Sequence, residues 1–118
     1  MSAGRYDIKK LDRAATFSMK MILKHDGVVM SLAGFTAKAS IRENYDFDEE
    51  EEPLLEFTCE IPDPSNGEVF ISLTAEDTKL LVENQYYYDV ILINGDYIMR
   101  VIDGTLKMSP EVTEVGGD

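Results

Sequence analysis

The chain has 118 residues, of which 44% are hydrophobic and 29% are charged, a composition typical of one folded domain rather than a disordered segment. Acidic residues outnumber basic residues by 23 to 11, and the resulting formal net charge of -12 argues against binding to the phosphate backbone of nucleic acids. The single cysteine excludes an internal disulfide. The chain has no long apolar run, so we expect no membrane-spanning helix and no secretory signal.

The first half of the chain alternates between apolar and polar residues with a period of two, which predicts β-strands. This pattern covers residues 16–24, with Ile22 as the one exception, and it returns over residues 35–42. Between these strands, Asp26-Gly27 is typical of a hairpin turn and Gly34 predicts a corner of the chain.

A dense acidic run from Asp46 to Glu52 interrupts this pattern and ends at Pro53. Like charges at neighbouring positions repel each other, so we predict an exposed and mobile loop over residues 44–53. The run has a superficial similarity to a calcium-binding loop, but it lacks the required glycine and the bidentate glutamate. A solvated loop is therefore favoured over a calcium site.

The second half of the chain predicts four more strands, over residues 55–61, 68–73, 85–93 and 97–108. Asn94-Gly95-Asp96 predicts the hairpin between the last two strands. The one helical candidate covers residues 74–81, where Thr74 and Asp77 form a shortened capping box. Asp103-Gly104 predicts a bulge or bend in the final strand.

These elements together predict an all-β protein. About seven short strands, with turn signals every ~8–12 residues and one helical turn, are typical of an antiparallel β-sandwich. A small closed β-barrel is the alternative, because the two-residue period does not separate the two folds. We expect an N-terminal arm or first-strand region over residues 1–13, the sandwich over residues 5–108, and a flexible C-terminal tail over residues 109–118.

The residues predict no catalytic, cofactor-binding or metal site. His25 is the only histidine, and it lies beside a hairpin turn with no serine or cysteine pattern next to it. Cys59 shares an inward face with Phe57 and Ile61, so we interpret it as a buried and unreactive thiol. The chain has no glycine-rich phosphate loop, and its inward positions are almost all apolar. We therefore expect a protein that is not an enzyme and has no small-molecule substrate.

The last strands carry apolar residues on both faces, although a sandwich strand needs only one apolar face. The second face holds Phe70, Tyr87, Ile91, Ile93, Ile98 and Ile102. If these strands are neighbours, the six residues form a contiguous apolar patch of the kind that marks association surfaces. The alternative is that a loop or the N-terminal arm covers the patch, or that a bulge shifts the register.

Basic residues are concentrated in the first quarter of the chain, at Lys9, Lys10, Arg13, Lys20 and Lys24, whereas acidic residues dominate the middle and the end. This asymmetry has two interpretations. One is ordinary surface charge. The other is a basic patch that docks an acidic neighbour.

Several segments, in chain order, resemble those of small tailed-phage virion proteins. Residues 30–38 (MSLAGFTAK) resemble the "dLtGyta" corner of that family, and residues 67–78 (GEVFISLTAEDT) resemble its "G.v.l.Lt..dT" strand and helical turn. Tyr88-Asp89-Val90, residues 101–106 (VIDGTL) and residues 109–113 (SPEVT) resemble its later elements. The immunoglobulin-like N-terminal domain of phage baseplate upper proteins is similar over the central part of the chain.

The resemblance implies an immunoglobulin-like sandwich and a non-enzymatic structural or adaptor protein of a tailed-bacteriophage virion, in the tail, baseplate or neck. The implied location is the virion, which is assembled in the host cytoplasm. The implied partners are other virion proteins and copies of the chain itself, with no nucleic acid and no membrane. The alternatives are a capsid decoration protein and a receptor- or carbohydrate-binding module, for which Tyr45, Phe47 and Tyr97 are the only loop aromatic candidates.

Overall fold

The computed structural model describes residues 4–43 and 52–109. Its strands are β1 (Gly4–Arg5), β2 (Ile8–Asp12), β3 (Phe17–Ile22), β4 (Lys24–His25), β5 (Val28–Val29), β6 (Thr36–Arg42), β7 (Leu55–Glu56), β8 (Thr58–Asp63), β9 (Glu68–Leu73), β10 (Gln85–Asn94) and β11 (Tyr97–Ser109). The helical elements are a 3-10 turn at Pro64–Asn66 and the short helix α1 at Ala75–Lys79. The prediction of an all-β protein is confirmed.

The strands form two facing sheets and a separate small hairpin. The larger sheet has the order β1-β11-β10-β6-β7, with β2 also paired to β11, and the smaller sheet has the order β3-β9-β8. Strands β4 and β5 form the hairpin. Neither sheet closes on itself within the described residues, so the fold is a sandwich and not the barrel alternative. The pairing is antiparallel, as predicted, except that β1 and β2 run parallel to β11.

The strand order is that of an immunoglobulin-like sandwich, in which strands A to G divide into the sheets ABED and CFG. Here β3, β9 and β8 hold the positions B, E and D, while β6, β10 and β11 hold the positions C, F and G. Such folds carry a tyrosine at the start of strand F whose hydroxyl binds the backbone just upstream. The buried Tyr86 fills this role, because its hydroxyl accepts a hydrogen bond of 2.7 Å from the Glu83 N–H.

The core lies between the two sheets and follows the predicted alternation. In β9 the inward residues Val69, Ile71 and Leu73 are at most 2% exposed. In β10 the inward positions, which begin at Tyr86 and end at Leu92, are likewise buried. Burial of large apolar side chains stabilises a fold by about 1.5–3 kcal/mol each. The inner faces therefore supply the core without any contribution from the outer faces.

Helix α1 begins as the sequence predicts but is shorter. The Thr74 hydroxyl accepts a hydrogen bond from the Asp77 N–H, and the Asp77 carboxylate accepts one from the Thr74 N–H. The helix ends at Lys79 rather than continuing to residue 81. The buried Thr78 hydroxyl donates to the Ala15 carbonyl at 2.9 Å and thereby ties the helix to the link between β2 and β3.

The irregularity in β11 lies earlier than predicted. Val90 pairs with Ile102 whereas Ile91 pairs with Arg100, so Val101 is the extra residue of a bulge. Gly104 itself keeps a regular partner, Tyr88. Glycine is needed there for another reason, because a Cβ atom at this position would overlap the backbone of Tyr6.

Candidate association surfaces

The outer face of the larger sheet carries four of the six predicted patch residues. Tyr87, Ile91 and Ile93 lie on β10, which is flanked by β11 and β6, and Ile98 lies on β11 directly opposite Ile93. Ile98 is 62% exposed, and the other three residues are half-buried. We call these four residues the outer-face cluster. The chain therefore places apolar side chains at the centre of a rigid, solvent-facing sheet.

The other two predicted patch residues lie elsewhere, so the prediction of one six-residue patch is wrong. Phe70 belongs to β9 in the smaller sheet, on the opposite side of the sandwich. There it stands between Lys20 on β3 and Glu60 on β8. Ile102 is turned inward by the bulge at Val101 and packs against the core. The alternative of a shifted register thus applies to this one residue.

Charged residues lie within and beside the outer-face cluster, since Asp89 occupies the outer face of β10 two residues before Ile91. Ile91 has Arg100 as its partner on β11 and Lys38 as its partner on β6. The Arg100 Nε atom lies 3.1 Å from an Asp89 carboxylate oxygen, and the Lys38 Nζ atom lies 3.4 Å from a Glu56 oxygen. Such exposed ion pairs add little to folding stability. Apolar side chains interspersed with charged ones in this way are instead compatible with a protein–protein interface, which is only about as apolar as the rest of a protein surface.

Tyr97 lies at one end of the sandwich, on the face of β11 opposite to Ile98, and so does not extend the outer-face cluster. It is 58% exposed, its hydroxyl lies 3.9 Å from the Met99 sulfur, and its ring lies 6.2 Å from the ring of Phe35 in a tilted contact. Tyr45 and Phe47, the other two loop aromatic candidates, lie outside the described residues. Only Tyr97 of the three is thus seen at the surface.

An open groove of about 490 Å³ separates β3 and β4 from β1 and β11. Leu23, Met30 and Val101 form part of its apolar lining, and His25 lies at its edge. The His25 imidazole is mostly exposed, and its Nε2 atom lies 3.5 Å from a carboxylate oxygen of the adjacent Asp26. This pair is the ordinary polar surface of a hairpin turn, and within the described residues the groove brings no second titratable group from another strand toward His25.

Cys59 points inward, as predicted, but it is half-buried rather than fully buried. Desolvation is the largest cause that raises the pKa of its thiol, which keeps the sulfur protonated and poorly nucleophilic.

No group of three or more metal-ligating side chains occurs among the described residues. The predicted mobile loop over residues 44–53 and the calcium alternative lie outside the described residues except for Glu52 and Pro53, which belong to no strand or helix. Residues 110–118 of the predicted flexible tail also lie outside the described residues. Ser109, predicted to begin the tail, is instead the last residue of β11 and pairs with Asp12.

Asp7, which the sequence patterns do not single out, attaches the N-terminal strands to β11. An Asp7 carboxylate oxygen accepts hydrogen bonds from the Thr105 N–H at 3.0 Å and from the Thr105 hydroxyl at 3.1 Å. These bonds, with the nearby Arg5 guanidinium, hold the pKa of the Asp7 carboxyl below its ordinary value. The Tyr88 hydroxyl also binds this link, donating to the Tyr6 carbonyl at 2.6 Å. Strand periodicity carries no signal for such contacts between distant segments.

Comparison with known proteins adds no relative. No family model matches the chain, and no curated protein is significantly similar to it. In the part of the chain that the structure describes, no helix has the length and apolarity that crossing a membrane requires. Function is therefore inferred from the surfaces described above and from the sequence resemblance.

Proposed function

We propose that the protein is a non-enzymatic structural or adaptor subunit of a tailed-bacteriophage virion, in the tail, baseplate or neck. It assembles in multiple copies and joins other virion proteins. The observation that carries this proposal is the outer-face cluster, because its apolar residues are not needed for the core and yet lie together on a rigid sheet. The ordered set of motifs shared with small virion proteins supports the choice of a phage particle.

The cluster can contribute to the free energy of association. Full burial of an exposed large apolar side chain contributes about 1.5–3 kcal/mol, but three of the four residues are already half-buried, so the cluster supplies only part of the free energy that offsets the cost of immobilising two partners. The charged neighbours of Ile91, Arg100 and Lys38, limit wrong partners and set the orientation of docking. A net charge of -12 opposes non-specific association of copies through this apolar cluster.

The test is a double substitution, Tyr87→Ser with Ile91→Ser, made in the phage that encodes the chain. Both side chains point away from the core, so we expect an unchanged circular dichroism spectrum. We expect the variant to be missing from purified particles, whereas native protein is found there in multiple copies by quantitative mass spectrometry. Phe70→Ser is the matched control, since it also removes a half-buried aromatic from an outer face, but on the smaller sheet.

Two results would contradict the proposal. If the native chain is absent from purified particles, the virion assignment is wrong. If native and doubly substituted proteins enter particles at equal copy number, the outer-face cluster is not the docking surface.

A further inference from the structure

One edge of the smaller sheet, along β3, has no strand beside it among the described residues. The Leu23 N–H donates to the Gly67 carbonyl at 2.8 Å, which continues the pairing of β3 with β9. Because the direction of backbone groups alternates along a strand, Ser18, Lys20 and Ile22 direct their N–H and C=O groups to the other side. No backbone hydrogen bond between described residues reaches these groups. An edge of this kind is a template for adding another strand.

The fold itself explains this open edge. In an immunoglobulin-like sandwich, strand A can pair beside strand B, which is β3 here. In this chain β1 and β2 pair with β11 instead. The core is accordingly incomplete at the edge, because the inward residues Phe17 and Met19 of β3 are only half-buried, in contrast to the inward residues of β9.

The opposite edge of the same sheet, β8, has matching features. Its inward residues Cys59 and Ile61 are also half-buried. On the outer face, Phe70 pairs with Lys20 on one side and with Glu60 on the other. The two edges therefore present opposite charges at the same level of the sheet. The Lys20 Nζ atom also lies 3.8 Å from a Glu68 carboxylate oxygen of its own copy, an exposed ion pair that contributes little to stability and leaves the ammonium group accessible to a second carboxylate.

The charge distribution of the whole chain favours the same pairing. Residues 4–27, which build β1 to β4, contain six of the 11 basic residues and only three of the 23 acidic residues. The side of the sandwich that includes β3 is thus basic, although the protein is strongly acidic. An acidic strand is the complementary partner, and the β8 edge of another copy supplies one.

We propose that the β3 edge of one copy binds the β8 edge of a second copy, so that the smaller sheet continues from copy to copy. In this arrangement each copy keeps the strand direction of the copy before it. Because β3 and β8 both run antiparallel to β9, the two edge strands then pair in parallel. Glu60 of one copy then lies beside Lys20 of the next. Pro62 lacks an N–H, and the ladder is irregular between Glu60 and Asp63, so the contact is confined to residues 58–61 of β8.

This contact joins two different edges and is therefore heterologous, which generates a ring if the rotation closes and a filament if it does not. It uses neither the outer-face cluster nor the virion assignment, so it stands or fails independently of the proposed function. It predicts self-association of the purified chain in the absence of any other protein.

A charge exchange tests the pairing. Lys20→Glu gives a copy with two acidic edges, and Glu60→Lys gives a copy with two basic edges. In sedimentation velocity over a concentration series, we expect the native chain to associate and each variant alone to associate about tenfold more weakly. We expect an equimolar mixture of the two variants to associate like the native chain. A mixture no stronger than the separate variants would overturn the proposal, as would a native chain that stays monomeric up to millimolar concentration.

A second substitution tests the backbone contact. Ser18→Pro removes an N–H that points to the open edge, so the melting temperature should change little while association is lost. Lys107→Glu, at an exposed position of β11 in the larger sheet, is the matched charge control and should associate like the native chain. If removing residues 110–118 abolishes association and the charge exchange has no effect, the C-terminal segment occupies the edge and the proposed pairing is wrong.

Discussion

The hydroxyl of Tyr88 gives the sharpest test of how the N-terminal strands are held. It donates a hydrogen bond of 2.6 Å to the Tyr6 carbonyl, in the link between β1 and β2. Tyr88→Phe keeps the buried ring and its edge-on contact with Phe57 but leaves that carbonyl without this donor. Losing one such bond costs about 1 kcal/mol, which corresponds to a fall in melting temperature of about 4 °C for a chain of this size.

The effect of this substitution on the free energy of unfolding should depend on pH, whereas the effect of a packing defect should not. Burial raises the pKa of the Tyr88 phenol well above its ordinary value of 10.0. The folded state therefore retains a proton that the unfolded state loses, so this contribution to stability is fully present below pH 10 and declines as the pH rises above it. We expect urea unfolding, followed by circular dichroism, to show native and Tyr88→Phe proteins differing at pH 7.5 and converging at pH 10.5.

Tyr87→Phe is the matched control, because its ring lies on the outer face of the same strand. It should change the free energy of unfolding by less than about 0.5 kcal/mol at either pH. The reasoning is refuted if Tyr88→Phe matches the native stability at pH 7.5, or if native and variant proteins lose stability in parallel above pH 10.

Two further predictions concern the same junction. Gly104→Ala should lower the free energy of unfolding by about 3 kcal/mol, because its Cβ overlaps the Tyr6 backbone, whereas Gly4→Ala makes only an ordinary contact and should be nearly neutral by urea unfolding. The lowered pKa of Asp7 means that its stabilisation is present above pH 3.8 and is lost as the pH falls below it. Asp7→Asn should therefore show a smaller fall in melting temperature between pH 5 and pH 3 than the native chain, and an unchanged fall would contradict this expectation.

The elements that sequence predicts well are those set by local chemistry. The period of two places the inward residues of β9 and β10 correctly, because the alternation of side chains is a property of the single strand. The capping box of Thr74 and Asp77 also follows from residues three positions apart. Neither prediction needs any knowledge of which strand lies beside which.

The failures share a different cause. The predicted patch combines Phe70 with residues of β10 and β11, because alternation says which face a residue occupies but not which sheet its strand joins. Ile102 is misplaced because one extra residue, Val101, reverses the facing of the residues beside it. Gly104 is predicted as a bend, although glycine is needed there because the backbone of Tyr6 passes close to it. The hydrogen bond between the neighbouring residues Asp7 and Thr105 likewise joins positions 98 apart in the sequence. The placement of Phe70, Ile102 and Gly104 is thus decided in each case by contacts between residues that are far apart in the sequence.

The two proposed surfaces can be occupied in the same assembly, because they belong to different sheets. The outer-face cluster lies on the larger sheet, while the β3 and β8 edges flank the smaller sheet on the other side of the core. A ring or filament built through the edges therefore leaves the outer-face cluster of each copy outside the edge contact. Repetition of that cluster would raise the avidity for a partner with matching symmetry well above the affinity of a single copy. Under the two proposals together, edge pairing would make a modest apolar patch into a multivalent docking surface, as the proposed role of joining other virion proteins requires.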